Sequence, residues 1–158
     1  MSLKVTKDNT KSLLDAIKHL SSDRVFVGIP QEKSARKDPD INNATIALIQ
    51  SNGSPANNIP PRPFLIPGVK KAESKNLAIL KKYAKLALSE KDAANKGLNS
   101  VGLNTQSAVK SYIKNSSNFE QLSQSTIQRR QEKGFKGTKP LIRTAQLLNN
   151  VSYVIRRK

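Results

Sequence analysis

Cysteine and tryptophan are absent from these 158 residues, and His19 is the only histidine. Those gaps exclude thiol nucleophiles, Cys/His zinc sites and any Ser-His or Cys-His catalytic pair. A disulfide framework is excluded too, so an intracellular or capsid-borne protein fits better than a secreted, disulfide-stapled one. Aromatic residues make up 4% of the chain, too few for a stacking platform that would grip single-stranded nucleic acid. No apolar run has the length of a signal-peptide core or a membrane span, so the expectation is a soluble protein without a membrane partner. Acids are scarce as well. Eleven Asp and Glu face 28 Lys and Arg, a net charge of +17.

What is present suits one domain spanning residues 1–158, long enough to bury roughly two-thirds of its unfolded surface without staples. The positive excess is uneven, because residues 126–158 hold nine basic side chains and one acid. A field of that kind attracts nucleic acid or an acidic protein surface, and self-repulsion keeps the free chain in solution.

Local patterns predict the elements. Asn9 or Thr10 caps a first helix with Leu13, Leu14, Ile17 and Leu20 at helical spacing, ending near Ser21-Ser22. Arg24–Ile29 is β-rich and apolar on both faces, which predicts a central strand covered on both sides. Residues 31–42 form a long exposed loop. A short helix from Asn43 follows, closed by Asn52-Gly53, and a second exposed loop occupies 54–58. After Pro67 comes the longest helical pattern, with Leu77, Leu80, Ala84 and Leu88 as its inward face and Lys71, Lys75, Lys82 and Lys85 as its solvated one. Beyond a break at 89–92, Ala94, Leu98, Val101, Thr105, Ala108 and Tyr112 form a narrow stripe that lets two helices approach closely. Ser125 with Gln128 reads as a capping box for a helix ending at Gly134, Thr144 caps a further turn, and residues 151–156 form a terminal strand. The fold class expected is α+β, a small mixed or antiparallel sheet packed against several helices, with one or two further strands unidentified.

Three candidate sites fail on their own chemistry. Asp38-Pro-Asp40-Ile-Asn42 opens like a calcium loop, but Asn43 stands where the turn glycine belongs and Ile49 where the bidentate glutamate belongs; a solvated loop before a helix cap accounts for it. Gly97 and Gly102 have phosphate-loop spacing, yet Leu103 and Asn104 replace the lysine and hydroxyl that must follow, leaving two packing glycines. Gly134-Phe-Lys-Gly137 has the form of a backbone-clamping turn, but an extended Thr138-Lys139-Pro140 follows it where a helix is required. His19, among leucines, reads as a helix-terminal or core-edge residue with no acid or nucleophile beside it. No catalytic, cofactor-binding or metal-binding residue is expected, so the chain is not expected to be an enzyme.

Two proline-anchored segments stand out: Ile59-Pro60-Pro61-Arg62-Pro63-Phe64-Leu65, preceded by Ile46-Ala47 and Asn52-Gly53-Ser54; and Leu122-Ser123-Gln-Ser125-Thr126-Ile127-Gln-Arg129-Arg130, leading through Lys133-Gly134 to Lys139-Pro140-Leu141-Ile142-Arg143-Thr144-Ala145-Gln146-Leu147. Their form and order resemble bacteriophage head-to-tail joining and tail-completion proteins, over roughly residues 24 to 156. The resemblance implies a structural virion subunit in an oligomeric ring, hexameric in expectation, at the neck or the head-proximal tail end. It would be assembled in the host cytoplasm. Its partners would be its own copies, neighbouring neck, connector and tail tube proteins, and, non-specifically, phage DNA. Two departures stand out. Ala145 occupies a position where the family usually has glycine, and Leu148-Asn149-Asn150 replaces a more polar, basic continuation.

Prolines 60, 61 and 63 hold an extended segment at low entropic cost, so that Arg62 and Phe64 can either meet a neighbouring subunit or brace their own chain. The subunit-interface candidates are Arg62, Phe64, Arg129, Arg130, Arg143, Thr144 and Leu147. A function of a different class, nucleic-acid binding through basic residues 126–158, is the alternative.

Overall fold

The computed structural model describes residues 10–35, 41–90 and 92–157. Six helices and two strands follow in the order α1 (Thr10–Ser22), β1 (Asp23–Gly28), α2 (Asn43–Asn52), α3 (Leu65–Leu86), α4 (Ala93–Lys114), α5 (Gln124–Glu132), α6 (Gln146–Asn150) and β2 (Ser152–Arg157). The fold is α+β.

α4 is the organising element, lying against α3, α1 and both strands. Glycines at the contacts explain how. A Cβ on Gly68 of α3 would sit 2.8 Å from the Val109 backbone, and one on Gly97 of α4 would sit 2.7 Å from Tyr83, so both positions hold the helices at close approach. Gly102 plays the same part against the sheet, under the ring of Tyr153. Polar side chains complete the seam: Asn104 donates to Asn76, Asn76 to Thr105 and Thr105 to the Val101 carbonyl, each at 2.8 Å.

The face by which α3 packs differs from the one expected. Gly68 and Ala72 are buried, and Asn76, Ile79, Tyr83 and Leu86 are half-buried, whereas Leu77, Ala84 and Leu88 face outward. Small residues admit the partner helix where leucines would hold it off, so the seam follows the glycines. α1 shows a related inversion: Ala16 is buried while Leu14 and Ile17 are exposed. The Leu20 side chain and a cap at Asn9 lie outside the described residues.

β1 pairs antiparallel with β2, from Asp23 opposite Arg157 to Gly28 opposite Ser152. That is the whole sheet among the described residues, so β1 is not the doubly covered central strand its composition predicts. Val25 and Val27 turn toward α4 while Arg24 and Phe26 face outward. No further strand appears among the described residues, apart from an isolated bridge between Ser54 and Ile59. His19 does have an acid beside it. At the α1–β1 junction its Nδ1 lies 2.9 Å from Asp23, whose other oxygen meets Nε of Arg157 at 3.4 Å. These contacts hold the Asp23 carboxyl below the usual carboxylate range, the His19 hydrogen bond contributing most.

Candidate functional site

The two proline-anchored segments meet, and the first part of the meeting place is built by α2 and its exit. Asn42 caps α2 by accepting from the Thr45 amide at 2.8 Å, and Gly53 ends it at φ 78°. A side chain there would be strained, and its Cβ would lie 2.8 Å from the Ile59 carbonyl. The 54–58 segment is exposed over residues 55–58, as expected, but it is a closed turn. Ser54 and Ile59 exchange both backbone hydrogen bonds, at 2.8 and 3.0 Å, around a turn of 3-10 helix. The chain therefore enters the prolines from a closed, rigid turn. Of the 31–42 segment, residues 31–33 form a 3-10 turn and residues 36–40, with the calcium-like Asp38 and Asp40, lie outside the described residues.

Arg62 is only 5% exposed, which makes it an internal brace and not a side chain offered to another subunit. Its amide donates to the Gln50 carbonyl at 2.8 Å, and its Nε donates to the Glu120 carbonyl at 3.1 Å. One residue thus ties the end of α2 to the segment that precedes α5. Burial pushes the Arg62 guanidinium below its ordinary pKa, and the Glu120 charge opposes the shift. Phe64, 2% exposed, anchors the main core with Val109, Ile113, Phe119, Leu147, Leu148 and Val151. Phe64 and Leu147 are therefore core residues as well, corrected from interface candidates for the same reason as Arg62: each is enclosed by its own chain.

The second segment is held by its own devices. α5 is capped by Ser123, which accepts from the Thr126 amide at 3.4 Å, two residues before the cap expected at Ser125. It ends in a Schellman turn: Gly134 lies at φ 78°, and Phe135 N donates to the Arg130 carbonyl at 2.8 Å. Nη1 of Arg130 donates to the carbonyls of Gly137 and Lys139, at 3.2 and 2.9 Å, and so folds the basic loop back onto the helix. Burial lowers the pKa of Arg130, with further lowering from the charges of Arg143 and Arg62. Arg143 lies over the Phe135 ring, 5.4 Å from its centre. Thr144 is exposed and caps nothing; the residue preceding α6 is Ala145, at φ 55° and ψ 3°. That is the left-handed conformation in which glycine is least strained. Leu141, at φ 61°, bends the same connection.

Arg129, Arg143 and Thr144 are thus at the surface and Arg130 is half-buried. No ion pair among the described residues involves any of the four arginines at this junction. The joint effect is a basic junction in which the charges of Arg143 and Arg62 act on Arg130, and the Glu120 charge acts on Arg62. Nothing in it supplies a nucleophile with its base. Among the described residues no group of three or more His, Asp or Glu is placed to hold a metal, and no helix is long and apolar enough to cross a membrane. Among the described residues one polar side-chain atom, Oε1 of Gln146, is buried without a donor. Comparison with protein-family models, with curated proteins and with solved structures gave no match to this chain.

Proposed function

We propose that this protein is a structural virion subunit that forms an oligomeric ring at a phage head–tail joint or head-proximal tail end. The observation that carries the reading is the convergence of the two motif segments: Phe64 of the first and Leu147 of the second share one core cluster. Segments whose order and residue pattern resemble a family's signature here act as one unit, a rigid junction with a basic outer rim. Further support comes from the sheet, whose two strands each leave one backbone edge without a strand partner among the described residues, a form of surface that readily accepts another chain. Arg129 and Arg143, exposed and without an ion-pair partner among the described residues, would face an acidic neighbouring ring or the passing genome. The test is mass spectrometry and electron cryo-microscopy of particles from the phage or prophage that encodes the chain. The expected result is several copies arranged about the tail axis; absence from purified infectious particles overturns the reading.

A second reading, nucleic-acid binding, is favoured by the exposure of Arg129, Lys133, Lys136, Lys139 and Arg143 along α5 and its following loop. The ring reading expects duplex affinity that is weak, indifferent to sequence and steeply lost with salt. Tight binding at physiological salt with preference for one sequence would establish the second reading in its place.

A further inference from the structure

The outward face of α3 carries a largely exposed apolar stripe, in which Leu80 alone of the large apolar members is half-buried. Ile66, Val69, Glu73, Leu77, Leu80, Ala84 and Leu88 succeed one another at steps of three and four, which places them in one row along the helix and its final turn. Ile66 is 78% exposed, Leu77 53% and Leu88 58%. The opposite flank of α3 is already used: Gly68, Ala72, Asn76 and Tyr83 meet α4. Beside the stripe, on the side away from α4, stand the exposed Lys70, Lys81 and Lys85. An apolar row of this length on a soluble surface marks an interaction site.

We infer that this stripe docks an amphipathic helix of another protein, with apolar residues at heptad spacing and acidic residues along one border. Charge complementarity selects the occupant. A second copy of this chain would bring the same lysine row and another +17 of charge to the contact. The docked helix would lay its own apolar anchors along Leu77, Leu80, Ala84 and Leu88, and the lysines set which helix is accepted. An anionic membrane is the weaker fit, because Glu73 interrupts the row and no aromatic residue lies in it to anchor at an interface. The inference is independent of the ring reading. A cellular or a viral partner satisfies it equally, and its failure leaves that reading standing.

The full chain should be titrated with a synthetic peptide of about three heptads, leucine at a and d and glutamate at e and g, whose like charges oppose its own pairing. The control is the same peptide with lysine at e and g. The glutamate peptide should bind and gain helicity, and the lysine peptide should not. Leu77→Ser should weaken binding roughly tenfold while lowering the melting temperature only slightly, because about half of the side chain is already in water. Lys81→Glu with Lys85→Glu should reverse the preference between the peptides. The inference is overturned if neither peptide binds, if both bind alike, or if Leu77→Ser has no effect. It is also overturned if the chain alone self-associates in sedimentation through Leu77, or if phosphatidylserine vesicles bind it in a Leu77-dependent way while the glutamate peptide does not.

Discussion

The α3–α4 seam and the junction around Arg62 are stabilised by opposite means. In the seam, side chains are removed: Gly68, Ala72 and Gly97 let two long helices approach until backbone and ring atoms touch. In the junction, side chains are added and irregular backbone is tied down individually, by Arg62 on two other segments, by Arg130 on two carbonyls and by Ala145 and Leu141 in left-handed conformations. The seam repeats a pattern, so its tolerance is set by size. The junction uses single contacts, so its tolerance is set by chemistry.

Four measurements sharpen that comparison. The largest effect is expected at Gly68→Val, which drives a branched side chain into the Val109 backbone and should cost about 3 kcal/mol in chemical denaturation. If the variant is as stable as the parent, close approach is not what holds the seam. Arg62→Ala comes next, expected to destabilise by about 1.5–3 kcal/mol through loss of the charged hydrogen bond to the Glu120 carbonyl and of a buried side chain. A variant that melts normally but fails to assemble would return Arg62 to the subunit interface. Ala145→Gly should stabilise, by about 0.5–1 kcal/mol, because relief of left-handed strain exceeds the added freedom of the unfolded chain. Destabilisation there would mean that the Ala145 methyl packs usefully.

The smallest effect concerns pH. Asp23 has its folded pKa lowered, chiefly by its hydrogen bond to His19. The sign follows: its contribution is present above the ordinary carboxylate pKa and is lost as pH falls through the lower folded value, so the loss lies below about pH 4. Asp23→Asn should flatten the acid limb of the stability curve in that window and leave the profile near neutrality parallel to the parent. An unchanged acid limb would remove Asp23 from the account.

Much of the helical framework was legible in the chain. The run from Asn43 to Gly53, the break before Ala93, the stripe on α4 and the strand near 152–157 each follow from caps, breakers and periods that act within a few residues. The caps of α5 and α6 were less so, since Ser123 and Ser125 compete for one role and Thr144 has the right chemistry one residue too early. The inward face of α3 was not legible, because two stripes share the helix and the leucine row is the more hydrophobic. The burial of Arg62, Phe64 and Leu147 was equally hidden: a proline-held extended segment carries no mark of whether its side chains turn inward or outward.

By itself the sequence determined where most of the helices lie, that the charge is strongly positive, and that no thiol and a single imidazole are present. These are properties of residues and their near neighbours. The tertiary structure alone decided that α3 packs by Gly68 and Ala72 and leaves Leu77 exposed, that β1 has one neighbour among the described residues, and that both motif segments close on the same core. Each of those depends on what stands opposite in space. Val109 lies 41 residues beyond Gly68, and the Glu120 carbonyl lies 58 beyond Arg62, so no local pattern encodes either meeting.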